Sequence, residues 1–150
     1  MIERTFPDRP WLGVGGLAFQ EDRVLLVKRG KEPGLGQWSI PGGMVDVGET
    51  VKEAVQREIN EETGLRVEVL QLVEVFERIL LNDQRRIQYH YVVLDYLCRI
   101  TGGRLKAASD AAEAVFSPLD SLRDFKLIPE TEQVIWKAHE LQKKSLDLWR

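Results

Sequence analysis

Residues Gly43–Leu65 read GMVDVGETVKEAVQREINEETGL, and their periodicity decides how the rest of the chain is read. Thr50 followed by Glu53 has the form of a capping box, and Gly64 stands where a helix would end, so the spacing predicts a helix over 50–63. On a wheel of about 100° per residue with Val51 at zero, Val55 falls at about 40°, Ala54 at about 300° and Ile59 at about 80°. Glu58 at about 340° and Glu62 at about 20° lie in the middle of that apolar arc, with Glu61 at its edge at about 280°. Lys52, Glu53, Gln56 and Asn60 already supply the solvent side. Two carboxylates therefore occupy the inward stripe.

An acidic run on a helix is ordinarily a solvated face. This one fits that reading poorly. Like charges one turn apart repel, and burial strips their hydration, so a positive group must compensate. Arg57 is one candidate, but its stem points elsewhere on the wheel and it brings a single charge. A hard divalent cation, Mg²⁺ or Mn²⁺, compensates better, because oxygens at i, i+3 and i+4 (Glu58, Glu61, Glu62) converge on one side of a helix. Gly42-Gly43, after Pro41, lets the backbone pass close to a metal or ligand, and carbonyl oxygens there can add ligands.

Outward from the helix, WLGVGGLAF (Trp11 to Phe19) reads as a buried strand. The turn Gln20-Glu21-Asp22 and RVLLVKR (Arg23 to Arg29) complete a β-hairpin. GKEPGLGQ, residues 30–37, is a loop by its glycines and proline, and WSIP is a short strand ending at Pro41. Leu65 to Leu81 and Ile87 to Ile100 are strand-like, with NDQRR as the turn between them and Thr101-Gly102-Gly103 ending the second run. Ala114 to Ser117 is one more short strand. From Pro129, Val134, Ala138, Leu141 and Leu148 share a helical face. Strands, an early helix, more strands and a terminal helix predict an α/β (α+β) mixed sheet with helices packed against it.

The 150 residues fit one domain, 1–150, at 43% hydrophobic and 30% charged. A formal net charge of −3 argues against general nucleic-acid binding. Cys98 is the single cysteine, so no internal disulfide forms. The start, MIERTFPDRP, is unlike a signal peptide, and no apolar run approaches the roughly 20 residues that span a bilayer. A cytoplasmic protein without membrane partners is expected.

The fixed positions Gly43, Glu49, Arg57-Glu58-Ile59, Glu61-Glu62 and Gly64-Leu65 match the signature of the Nudix hydrolases, which the chain resembles; WSIPGG (Trp38 to Gly43) is similar to the family's lead-in. The resemblance implies an α/β/α sandwich around a central mixed sheet. It also implies metal-dependent hydrolysis of a nucleoside diphosphate linked to another group. By position, Glu58, Glu61 and Glu62 match the family's metal ligands, joined by the Gly42 carbonyl, while Arg57 and Glu49 match residues that orient them. The general base is open between Glu58 and a loop acid, Asp110 or Glu113. Many relatives form dimers, so a homodimer is an assembly the resemblance allows.

Substrate choice is open as well. The positions 15 to 17 past Leu65, Leu80 to Asn82, carry neither the proline associated with ADP-ribose hydrolases nor the tyrosine associated with diadenosine-polyphosphate hydrolases. ADP-ribose or another nucleoside diphosphate sugar is preferred on the likeness of QYHYVVLDYLCR to that group's late strand. Nucleoside triphosphates come next. A rival is a nucleotide-sensing domain of the same fold that does not cut; the intact set of acids argues against it.

Several signals are discounted. Gly13-Val14-Gly15-Gly16-Leu17-Ala18 fits a dinucleotide fingerprint but lacks the following helix. His139 is expected at the surface of the terminal helix, and His90 on a sheet face. Arg29, at the end of the second strand, can meet a pyrophosphate. Trp38 and Tyr89 are among the aromatics that can stack on a nucleobase.

Overall fold

The computed structural model describes residues 3–148, with the side chains of residues 147 and 148 left aside. Seven strands are present among them: β1 (Trp11–Gln20), β2 (Arg23–Arg29), β3 (Trp38–Ser39), β4 (Gly42–Met44), β5 (Leu65–Leu81), β6 (Ile87–Gly103) and β7 (Ala111–Pro118). The helices are α1 (Val51–Thr63) and α2 (Pro129–Leu148), and a 3₁₀ turn covers Leu119–Phe125. The strand order is β3-β2-β1-β6-β5, with β4 added to β1 and β7 to β2. β1 and β6 run parallel over Trp11–Ala18 and Tyr91–Cys98, and the other pairings are antiparallel. This is the mixed sheet expected.

One edge of β1 is shared. Its Gly13–Gly15 segment pairs with β4, while Phe19 and Gln20 further along pair with β2. The sheet therefore forks along β1. Side-chain alternation sends the two faces to different helices. Val14, Ala18, Tyr96 and Cys98 pack with Ala54, Val55 and Ile59 of α1. Leu17, Phe19 and Leu97 pack with Val134, Ile135 and Ala138 of α2. No helix among the described residues is long and apolar enough to cross a membrane.

α1 starts as its sequence dictates. Thr50 Oγ1 accepts from the Glu53 amide at 3.1 Å, and Glu53 accepts from the Thr50 amide at 3.0 Å. Gly64, at φ 75°, closes the other end with its amide donating to the Asn60 carbonyl. The turn between β5 and β6 is built by Asn82, whose Oδ1 accepts from the amides of Gln84 and Arg86, both at 2.9 Å.

The structure departs from the expected elements in a few places. WSIP resolves into β3 alone, and β4 forms beyond Pro41 because Gly42 to Met44 find partners on β1. β6 continues through Thr101-Gly102-Gly103, since those residues still pair with the start of β5. β7 begins three residues earlier than Ala114, drawn out by pairing along β2. On α2, Val134 and Ala138 are buried and Leu141 is partly buried against the same cluster, whereas the burial of Leu148 lies outside the described residues. His139 is a correction: it is 9% exposed, its ring 5.8 Å from Phe19 and 6.0 Å from Trp136. Its Nε2 stands 3.3 Å from Asp22 Oδ1, which gives the buried imidazole a polar partner.

Candidate active site

Arg57 is the centre of the acid cluster. Its Nε and Nη2 make a forked pair with Glu49 at 2.7 and 2.9 Å, and Nη2 also donates to the Met44 carbonyl at 2.9 Å. Nη1 donates to Glu58 at 2.8 Å and to Glu61 at 3.3 Å. The stem does point off the apolar arc, but its length brings the guanidinium back over the turn, so one cation hydrogen-bonds three carboxylates and stands 3.5 Å from a fourth, that of Asp46. Glu49 is further held by the Asp46 amide at 3.0 Å. Hydrogen bonds from Arg57 and from that amide hold its carboxyl down to about 2. The guanidinium itself is raised further above its ordinary range, chiefly by its hydrogen bonds to Glu49.

Glu58 and Glu62 behave differently. Glu62 is 5% exposed, accepts from the Gly42 amide at 3.1 Å, and feels the charge of Glu58 one turn back. Burial, and for Glu62 the adjoining charge of Glu58, push both carboxyls above the ordinary carboxylate range. A carbon added to Gly43 would meet the Glu58 carboxylate, so only glycine lets β4 approach this pair. Glu61 is turned onto Arg57 with 45% of its side chain exposed.

Among the described residues no three His, Cys, Asp or Glu groups stand together as a ready metal cage. The donor chemistry nevertheless fits a hard cation. The half-buried Glu58 and the buried Glu62 carry more negative charge than the one guanidinium on Glu58 neutralises, and the side-chain donors are all oxygens. Glu58, Glu61 and Glu62 lie along one side of α1 as the wheel predicts, with Arg57 holding the first two and Glu49 bracing Arg57.

On the opposite side of β4 opens a cavity of about 770 Å³, a size that suits a nucleotide. Gly42 and Gly43 form the partition: they line the cavity and also touch Glu62 and Glu58. Gly13, Gly15 and Val93 belong to its lining, as do Arg29, Trp38 and Tyr89 from the sequence reading. Arg29 donates to the Pro33 carbonyl at 2.7 Å, and its charge reaches Glu62, favouring the ionised form there. Trp38 is braced edge-on by Phe125 at 5.0 Å, and Tyr89 stacks on Tyr91 at 6.0 Å.

Neither candidate base outside α1 is brought into the cavity lining: Asp110 is on the loop, and Glu113, expected on the loop as well, lies on β7 opposite Lys28. Asp110 pairs with Lys31 at 2.8 Å and Glu113 with Lys28 at 3.3 Å, both half exposed. The loop before them is tied to the end of α1, however: the Lys106 and Ala108 amides donate to the carbonyls of Thr63 and Glu62.

One acid escaped the sequence reading. Asp95, on β6, is 6% exposed and lines the cavity beside Gly15 and Glu74. Its signal was a charge inside the apolar run VVLDYLC, ambiguous until the strand's two faces are known. The dinucleotide-like glycines are strand residues, as expected, and two have packing reasons: Gly15 leaves space for Asp95, and Gly16 for Ile59 and Val55.

Residues 9–138 match the NUDIX domain. This chain belongs to the Nudix family. An ADP-ribose pyrophosphatase from Methanocaldococcus jannaschii is 39% identical over 126 residues, covering 84% of this chain and 71% of that protein. A crystal structure of a MutT NUDIX hydrolase from Burkholderia pseudomallei superposes with a TM-score of 0.76 at 30% identity, covering 87% of this chain and 98% of that one. An ADP-ribose pyrophosphatase from Streptococcus suis gives a TM-score of 0.69 at 32% identity, covering 89% and 92%. Other Nudix relatives are longer: an 8-oxo-dGDP phosphatase from Homo sapiens is 36% identical over 107 residues, and the chain spans 30% of it. The Nudix chain is thus a pyrophosphohydrolase by family.

Proposed function

We propose that this protein hydrolyses the pyrophosphate linkage of a nucleoside diphosphate joined to another group, with ADP-ribose or a similar nucleoside diphosphate sugar as the favoured substrate. The observation that carries the reading is the pair of half-buried Glu58 and buried Glu62 held against a glycine strand that also walls a nucleotide-sized cavity. The names of the M. jannaschii and S. suis relatives support the sugar preference. Glu58, Glu61, Glu62 and the Gly42 carbonyl would hold Mg²⁺, with Mn²⁺ as a substitute. When bound, such an ion supplies charge neutralisation for the phosphates and lowers the pKa of attacking water.

The chain's own residues do the rest. Arg57 and Glu49 fix the orientation of Glu58 and Glu61 through the hydrogen bonds described. Arg29, at the cavity wall, offers a cation to the pyrophosphate. Trp38 and Tyr89 offer flat apolar surface to a base. Glu58 is the general base favoured by position, since Asp110 and Glu113 lie outside the cavity lining and are engaged by lysines.

The test is release of nucleoside monophosphate from a panel of nucleoside diphosphate sugars and nucleoside triphosphates, with Mg²⁺ and with EDTA. Turnover of the sugars that stops in EDTA is expected. Faster turnover of triphosphates moves the protein to the triphosphate pyrophosphohydrolases, and tight binding without turnover makes it a sensor.

A further inference from the structure

The hydrolytic reading leaves Asp95 without a role. Its backbone is paired with Gly15 on one side and Glu74 on the other, which puts the three on one face of the sheet. A carbon added to Gly15 would run into Asp95 Oδ1, so the glycine vacates the space that the carboxyl fills. Gly15 pairs in turn with Gly42, on the strand that touches Glu62, and the Ile40 side chain lies over Gly15 next to the Asp95 carboxyl. Trp38, Ile40 and Val93 belong to the same cavity wall.

Only burial and the charge of Glu74 act on the Asp95 carboxyl, and they push it up to about 7; no hydrogen bond holds it down. A polar group nearly cut off from water and lacking a partner calls for a donor. The donor cannot belong to a phosphate, since Asp95 and Glu74 repel an anion. Lys137 of α2 is already committed to Glu74 at 2.9 Å. With phosphates drawn to Arg29 and the Gly42 end, the part of a nucleotide left for the Asp95 end is the planar base.

Resting on the proposed function, we infer that Asp95 anchors the substrate's nucleobase by accepting a hydrogen bond from its exocyclic amine, the ring lying against the wall formed by Trp38, Ile40 and Val93. The carbonyl oxygen of a neutral carboxyl accepts that bond as a carboxylate does, so the contact survives in either form. Adenine carries such an amine; hypoxanthine, otherwise the same shape, carries a carbonyl oxygen in its place. A site that loses a buried hydrogen bond discriminates more strongly than one that loses apolar contact.

The experiment compares ADP-ribose with its hypoxanthine counterpart for wild type, Asp95→Asn and Asp95→Ala, alongside calorimetric binding of AMP and IMP to wild type. Wild type is expected to favour the adenine substrate by about tenfold or more in kcat/KM. Asp95→Ala should lose that preference through KM, and Asp95→Asn, whose amide oxygen accepts the same bond, should keep most of it. Equal kcat/KM for the two substrates in wild type, or an undiminished preference in Asp95→Ala, overturns the inference. If the alanine variant does not fold, the AMP to IMP affinity ratio of wild type decides alone: a ratio near one overturns it. Failure to cleave any nucleoside diphosphate sugar would instead sink the proposed function, and the AMP and IMP measurement still judges the anchor.

Discussion

The two faces of the sheet hold their buried acids in opposite ways. On the α1 face, Glu58 and Glu62 are crowded but supported, by the Arg57 guanidinium and the Gly42 amide. On the α2 face, Asp95 has neither, only the added repulsion of Glu74. Both arrangements oppose ionisation, so each face has a standing demand for positive charge or a hydrogen-bond donor. The first demand suits a cation because two oxygen groups meet there. The second suits a neutral donor because one does. In the function proposed, position on the sheet, rather than residue type, separates the hydrolytic acids from the recognition acid.

The sharpest break of that contrast is Glu62→Gln. Removing the more buried acid of the pair should cut turnover by about three orders of magnitude with the fold retained, as judged by circular dichroism and a product-release assay. Near-wild-type turnover would remove Glu62 from the chemistry. Arg57→Ala comes next, since it strips a guanidinium from Glu49, Glu58 and the Met44 carbonyl together. A stability loss of about 2 kcal/mol is expected, reduced from that of a fully buried pair because solvent reaches part of the site. Denaturant unfolding measures it, and an unchanged midpoint would mean the cluster is solvated enough to do without its arginine.

Asp95→Asn tests the other face by pH. The folded-state pKa, up at about 7, lies above the ordinary 3.8, so the unfolded chain gives up this proton first as pH rises. The wild type therefore loses stability across the window from about 4 to about 7, and the asparagine variant does not lose that share. The variant should unfold later by about 2–4 kcal/mol at pH 8, the gap closing towards pH 4. A constant gap across pH would show that packing, rather than ionisation, sets the difference. The smallest effect is expected for Thr50→Ala, which opens the capping box at a cost of about 1 kcal/mol and leaves the acids of α1 seated.

The contrast also explains what could be read in advance. α1 was legible because its information is local: the box at Thr50 and Glu53, the stop at Gly64 and the inward glutamates all fall within one short segment. β5, β6 and the Asn82 turn were legible for the same reason. Asp95 was not, because its meaning depends on Gly15 and Glu74, which reach it from two other strands. β4 was missed since three residues with two glycines have no strand preference until β1 offers them partners. His139 was misplaced because one polar residue on a helix face looks solvent-bound until Phe19 and Trp136 close around it.

The fork along β1 has a practical corollary. Since Gly42 and Gly43 are the common wall of two compartments, bulk added at Gly43 to reshape the binding space would displace the Glu58 carboxylate, and bulk at Gly42 would run into the β1 backbone at Val14 and Gly15. Efforts to retune selectivity should therefore begin on the far strands, around Asp95 and the β5–β6 hairpin, where volume can change without a toll on the acids.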